Sequence, residues 1–413
     1  MRYFEEESTT FVQSCGSKEG AISPAIVSSA SFAYGSPESA EKIFDGSIKK
    51  PMYSRMGNPT SAKLESLLSD MDGGVGAIAT SSGMGAITLC VMSLLSCGDE
   101  VISVGGLFGG TYAFFTQSAT RFGVKTSFFD VDDLKQIESA ITDHTKIIFL
   151  ESIGNPNMRL PDIRAIAAIA SKYGVLLVVD NTLTPLSVKP LELGADIVIY
   201  STTKIINGHS SALGGAVVYR AVQSSGDKLS SSRYPFAQKF IDNLGQGAFI
   251  GIGKKRALRD FGMSASAHNS YQTIIGLQTL PLRQDRVTSS VERVALELDR
   301  AGLKVNHPVL KSHPHHSRYK EQFKRGCGAL MSLDFDSQER AFRFLNSSNL
   351  ATITANLGDS RTLALHMAST IYADFDEKQR EFLGISDGLV RICIGLERAD
   401  DIIEDFIDAA RSI

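Results

Sequence analysis

The residues best placed to do chemistry are a lysine and an aspartate. Lys204 sits in Ser201-Thr202-Thr203-Lys204, just past an apolar run, Ala195 to Tyr200, that reads as a buried strand. Asp180 ends a second such run, Val175 to Asp180, a short way upstream. A primary amine can hold an aldehyde as a Schiff base, and a carboxylate can keep a ring nitrogen protonated so that the ring takes up electrons. A pyridoxal phosphate site needs that pair at the ends of neighbouring strands.

A lone lysine past a strand is ordinarily solvated, so the neighbouring residues decide. Ser201 and Thr203 carry hydroxyls that suit phosphate oxygens. Gly214 and Gly215 precede another apolar stretch, Ala216 to Val218, and let backbone approach a bound ring. Ser81-Ser82-Gly83-Met84-Gly85 opens a helix, where free N–H groups and the positive dipole end suit an anion; a plain helix cap reads the same way. Asp180-Asn181-Thr182 either caps a turn or pairs with a pyridinium. From Gly388 to Leu396 the side chains alternate, which turns Arg391 away from the apolar face of Val390, Ile392 and Ile394. Arg391 then either captures a substrate carboxylate or makes a structural ion pair. His313-Pro314-His315-His316 has the look of a metal cluster, but it lies in a polar stretch without distant partners. It is read as a solvated loop leading into a helix, and no metal site is expected. Gly73-Gly74-Val75-Gly76 follows a helix rather than a strand and is no dinucleotide fingerprint.

The elements that must position these groups alternate. Strands are expected at Glu100 to Val104, Lys146 to Glu151, Val175 to Asp180 and Ala195 to Tyr200. Helices are expected from Ser61 to the Gly73-Gly74 stop, and over Met84 to Leu95, Tyr112 to Phe122 and Asp162 to Tyr173. The alternation predicts an α/β fold with a mostly parallel sheet, whose ligand sits at the carboxyl ends of strands. Residues 1–57 read as an arm, 58–255 as a large domain and 256–413 as a smaller C-terminal α/β domain. That last part carries strands at Gly328 to Phe335 and Leu389 to Leu396 and a helix at Asp400 to Ala410. The pattern loosens over 222–262, which reads as an insertion or connection.

Composition narrows the function classes. With 413 residues the chain suits two or three domains. A net charge of -3 and no basic block speak against a nucleic-acid partner. No apolar run approaches membrane-spanning length, and the acidic start, MRYFEEESTT, lacks a secretory layout. Five scattered cysteines without a C-x-x-C argue against a disulfide framework or zinc site; four sit among small or apolar neighbours and read as packing. A cytoplasmic setting is expected.

Seven stretches together resemble one family over nearly the whole chain: YSRMGNPT (53–60), SSGMGAIT (81–88), ESIGNPNMRLPDI (151–163), VVDNT (178–182), STTKIINGH (201–209), ANLGDSRTL (355–363) and GLVRICIGLE (388–397). They are similar to the cysteine/methionine-metabolism pyridoxal phosphate enzymes, which include cystathionine synthases and lyases, methionine γ-lyase and the homoserine-ester sulfhydrylases. The resemblance implies the aspartate aminotransferase-like fold type I and pyridoxal 5′-phosphate as cofactor. It implies that Lys204 holds the cofactor and shuttles protons while Asp180 pairs with the ring nitrogen. Ser82, Gly83, Met84, Ser201 and Thr203 would hold the phosphate, with Thr182 beside the cofactor. Tyr53 and Arg55 would reach the phosphate of a neighbouring subunit, so a homodimer or a homotetramer built as a dimer of dimers is implied. Asn155, Asn356 and Arg391 would face substrate or cofactor, with Arg391 on the α-carboxylate.

The chain departs from the family pattern in places. Phe108 stands where many members stack a tyrosine on the ring, and some sulfhydrylases are similar in having phenylalanine there. Tyr112, one helical turn on, does not match that position. Gly110 replaces the cysteine typical of methionine γ-lyases, Arg361 replaces an acidic residue usual in the cystathionine enzymes, and Met367 replaces a proline. NLGDSRTL and residues 257–283 look more like the sulfhydrylases. The resemblance therefore implies γ-replacement on an O-acylhomoserine, the acetyl ester above all, by sulfide or a thiol. γ-Elimination to 2-oxobutanoate is the alternative, with cystathionine γ-synthesis or a non-catalytic binding protein further off.

Overall fold

The structure, a computed structural model, describes residues 7–16, 20–223 and 226–413. Two sheets organise it. The first contains β1 (Gly76–Thr80), β2 (Glu100–Val104), β3 (Lys125–Phe129), β4 (Thr145–Glu151), β5 (Leu176–Asp180), β6 (Ile197–Tyr200) and β7 (Gly215–Tyr219). Its order is β1-β7-β6-β5-β4-β2-β3. Every pairing from β6 to β3 is parallel, and β7 alone runs against both its neighbours. The middles of β4 and β5 (residues 147–150 and 176–179) and the whole of β6 are apolar because helices cover both faces, as a buried parallel sheet requires. The expected mostly parallel α/β fold is present. The second sheet, β8 (Lys304–Asn306), β9 (Leu330–Asp334), β10 (Thr352–Ile353), β11 (Leu363–His366) and β12 (Leu389–Cys393), has the order β10-β11-β12-β9-β8 and is antiparallel except at β10.

The expected helices form with local reasons for their ends. Pro59–Asp72 starts with Pro at its first turn and an Asn58 side chain that accepts from Thr60 N, and it stops at Gly73 with φ 68°. Ile163–Lys172 is capped by Asp162, which accepts from Ala165 N. The stretch 109–122 is helical but tightens and loosens along its length: α-helical over Gly109–Ala113, a π turn over Phe114–Ser118, then a 3-10 turn over Ala119–Phe122.

Two expectations need amendment. Residues 222–262 are not a loose connection. They form short helices, Gln238–Leu244 and Ala248–Gly253 among them, that bury Tyr234, Phe249, Ile252 and Leu258 against the first sheet. Small residues that blurred the pattern permit this packing: a Cβ at Gly253 would lie 2.7 Å from Ile78 Cδ1. The histidines are not solvated. His313 is 9% exposed and His315 4%. His315 accepts from Leu160 N at 2.9 Å through Nδ1 and pairs through Nε2 with Asp132 at 2.9 Å. A helix, His316–Gln322, does follow them. The start of the arm is also anchored, since Phe11 and Cys15 join the core beneath Leu64, Leu67 and Leu68. Residues 1–6 and 17–19 of that arm lie outside the described residues.

Of the cysteines, Cys15, Cys90, Cys327 and Cys393 are buried and Cys97 is exposed. Among the described residues no helix is long and apolar enough to cross a membrane.

Gly215 shows how tightly the strand ends are assembled. A Cβ there would lie 2.2 Å from Ser82 O and 2.7 Å from Thr80 Oγ1. Both neighbours sit in the turn from β1 into the helix Gly83–Leu94, and neither can yield cheaply. Gly215→Ala is expected to destabilise the fold by about 1–3 kcal/mol, whereas Gly247→Ala, with nothing within 4 Å of its Cβ, changes it by less than about 0.5 kcal/mol. Urea unfolding of the two variants checks this, and equal midpoints would refute it.

Candidate active site

Strands that run parallel deliver their carboxyl ends to one edge of the sheet. At that edge a cavity of about 220 Å³ opens. It is lined by Ser82, Gly83, Met84, Phe108, Asn155, Asp180, Thr182, Ser201, Thr203, Lys204 and Arg391. These residues span more than three hundred positions of sequence, and the fold brings them together. Asn356 lies at the adjoining mouth with Phe108, Lys204 and Leu213. Tyr53 and Arg55 do not line either space. Tyr53 is 46% exposed, and Arg55 lies over its ring at 5.5 Å and donates to Arg259 O.

One end of the cavity is built for an anion. Ser82 caps the helix Gly83–Leu94, its side chain accepting from Gly85 N at 3.0 Å. The first-turn amides have no intrahelical acceptor. Gly83 packs so closely on Ser201 that a Cβ would sit 2.6 Å from Ser201 Cβ. Thr203 Oγ1 donates to Gly214 O at 3.1 Å and accepts from Gly214 N at 2.9 Å, which ties the lysine turn to the start of β7.

The other end is built for a cation. Asp180 ends β5, and its Oδ1 accepts from Thr182 N at 3.0 Å. Thr182 turns its own hydroxyl to accept from Ser201 N at 2.7 Å, which locks the ends of β5 and β6 together. Directly across the register from Asp180 is Glu151, the last residue of β4. It lines the same cavity and accepts from Phe108 N at 2.7 Å. Burial raises the pKa of both carboxyls; the charge of Asp180 raises Glu151 further, while hydrogen bonds from Thr182 draw Asp180 back down. A cationic group placed against the pair would relieve that strain. Sequence reasoning passed over Glu151 although the rule that picked out Asp180, a carboxylate ending a buried strand, applies to it equally.

Lys204 lines the same cavity, on a turn closed by Lys204 N to Ser201 O at 3.2 Å and Gly208 N to Lys204 O at 2.8 Å. Arg283, 8% exposed, clamps the following residues by donating to Ile205 O at 2.7 Å and Ile206 O at 3.1 Å. Lys204 Nζ donates to Asn356 Oδ1 at 2.7 Å. Burial, then the Arg391 guanidinium, bring its pKa down to about 8, against a small opposing pull from Cys393. Arg391 is 2% exposed. Its Nη2 donates to Ala355 O and Asn356 O, both at 3.1 Å, whereas Nη1 is buried without a partner. Asn155 Oδ1, also buried, is likewise unpaired. Orphaned buried polar atoms are costly unless a ligand satisfies them.

The cavity thus offers an anion cradle, a carboxylate pair for a protonated ring nitrogen and a low-pKa amine for an aldehyde. Pyridoxal phosphate has those three groups, and the residues present fit it. Comparison with known proteins agrees. The family described as Cys/Met metabolism PLP-dependent enzyme matches residues 8–411. An L-methionine gamma-lyase of Treponema denticola is 34% identical over 95% of this chain and 93% of its own length. An O-acetyl-L-homoserine sulfhydrylase of Leptospira meyeri is 32% identical over 93% and 91%. A crystal structure from Campylobacter jejuni, described as a putative O-acetylhomoserine (thiol)-lyase with N′-pyridoxyl-lysine-5′-monophosphate, superposes with a TM-score of 0.94 at 31% identity, covering 98% of this chain and 100% of that one. The chain belongs to the Cys/Met-metabolism enzymes that depend on pyridoxal 5′-phosphate.

Proposed function

We propose that this enzyme replaces the γ-substituent of an O-acylhomoserine, O-acetyl-L-homoserine first, with sulfide or a thiol. The products are homocysteine or its S-substituted form and the free carboxylic acid. One observation carries the choice: among the described residues no tyrosine lines the cavity, and Phe108 occupies its wall. Expelling a thiolate calls for an acid to protonate it. A carboxylate is a weaker base than a thiolate by about four pKa units, so an acyloxy group leaves without one. γ-Elimination is the second reading, kept by the likeness to methionine gamma-lyases over 95% of the chain.

The residues divide the work. When bound, pyridoxal phosphate supplies the electron sink that lets an α-proton and a γ-substituent depart. Ser82, Gly83, Met84, Ser201 and Thr203 would hold the phosphate, and Asp180 would pair with the ring nitrogen. The unpaired Nη1 of Arg391 takes the substrate carboxylate. Asn155 Oδ1 accepts from a donor on the bound molecule. Lys204, its amine half neutral at about pH 8 and increasingly so above it, removes the α-proton and returns it. Phe108, in the cavity wall, would pack over the ring and exclude water. Tyr53 and Arg55, exposed in a single chain, complete the phosphate site of a second copy in a homodimer or homotetramer. The free thiols fit a reducing cytoplasm.

Two measurements test this. In a matrix of acyl donors against sulfide and small thiols read by mass spectrometry, O-acetyl-L-homoserine should give S-substituted product. Abundant 2-oxobutanoate from methionine, with no thiol incorporation, would establish the second reading instead. For Lys204, the low pKa sets a direction: only the neutral amine attacks an aldehyde, so capture of added pyridoxal phosphate by the apo protein should speed up with pH and reach half its limit near about 8. A solvated lysine would place that point near about 10. Borohydride reduction should fix the label on Lys204.

A further inference from the structure

The hydrogen bond from Lys204 Nζ to Asn356 Oδ1 is 2.7 Å long. An amide offers a carbonyl on one side and an NH₂ on the other, and an ammonium is held only by the carbonyl. The group that selects which end faces Lys204 lies on the far side of Asn356. Its Nδ2 donates to Ser210 Oγ at 2.7 Å, and Ser210 Oγ donates its single proton to Asp359 Oδ2. If the amide were reversed, Ser210 could satisfy the amide carbonyl only by abandoning the carboxylate.

Asp359 is well suited to force that choice. It is 5% exposed and accepts from Arg361 N at 2.9 Å and Ser360 Oγ at 3.2 Å, with the Arg361 guanidinium at 3.5 Å. Burial alone would raise its pKa, but the hydrogen bonds from Ser210, Arg361 N and Ser360 hold it below the usual range, so it stays ionised. Ser210 adopts φ 52°, a left-handed backbone that residues other than glycine seldom take, and its hydroxyl meets Asn356 and Asp359 of a single loop that lies 146 and 149 residues further along the chain. Meanwhile Arg391 holds the backbone carbonyls of Ala355 and Asn356. The backbone of Asn356 is thus fixed from one side and its amide from the other.

We propose that Ser210 and Asp359 are positioning residues: acting through Asn356, they aim an amide carbonyl at Lys204 and hold its amine where it exchanges protons with the substrate. The proposal rests on the reading of Lys204 as proton carrier. Arg391 and Cys393 also face Lys204, and neither is altered in the test.

The test uses holoenzyme and L-norleucine, which has no γ-leaving group, so that α-hydrogen exchange in deuterated water reads the proton step alone. Ser210→Ala removes only a hydroxyl from an exposed residue. It should slow saturated exchange about tenfold, a modest part of what acid–base catalysis contributes, with half-saturation within about twofold of the parent. Asp359→Asn should match Ser210→Ala, and the double variant should be no slower than either. In apo protein, pH-dependent amine labelling read by mass spectrometry should show Lys204 titrating at lower pH in Ser210→Ala, because the released amide can turn its NH₂ toward the amine. Unchanged exchange and labelling in Ser210→Ala overturn the proposal, as does an effect confined to Asp359→Asn with a lowered melting temperature. Failure of borohydride to fix pyridoxal phosphate on Lys204 in the parent enzyme would instead remove the reading on which the proposal rests.

Discussion

Everything in the active site depends on three parallel strands ending together. β4, β5 and β6 run side by side in the same direction, so their last residues emerge on one edge of the sheet. Glu151, Asp180 and the Ser201–Lys204 turn are those last residues or follow them directly. The adjacent β7 runs the other way and brings Gly214 and Gly215 back to the same edge, where the absence of side chains leaves room for the Ser82 turn. Chemistry-bearing groups far apart in the chain become neighbours because strand direction leaves them nowhere else to go.

That edge is kept electrostatically uncomfortable. Two carboxyls face each other across neighbouring strands, a lysine is partly stripped of solvent beside an arginine, and Arg391 and Asn155 each bury an atom without a partner. None of these helps a fold by itself. Each would become favourable once pyridoxal phosphate, with its ring nitrogen and aldehyde, and a carboxylate-bearing substrate filled the space. The cores elsewhere offset the cost: the layers around the first sheet are close-packed, and the second sheet has its own cluster of Phe344, Phe406, Ile392 and Ile402.

Much of this was legible in the residues. Strand ends, helix caps and the placement of Asp180 and Lys204 follow from local pattern, because apolar runs and capping residues act over a few positions. Three features were not. Residues 222–262 look polar and glycine-rich, yet their glycines are what allow Phe249 and Ile252 to reach the sheet. The histidines around 313–316 look solvated because their neighbours in sequence are polar, whereas the backbone of Leu160 and the carboxylate of Asp132 that enclose His315 come from over 150 residues away. Glu151 was hidden in plain view at a strand end, since nothing local says that it faces the aspartate of the next strand.

The sequence by itself determined the cofactor and the family, because a lysine, an aspartate and a capped glycine-rich helix start carry their chemistry in their residue types, and seven motifs in one order leave little freedom. Only the tertiary structure decided how those groups are poised. It set the lowered pKa of Lys204, the proximity of Glu151 to Asp180, and the orientation of Asn356 by Ser210 and Asp359. Those properties depend on burial, strand register and contacts across 29 to about 150 positions of chain, and no local pattern encodes a distance of that kind.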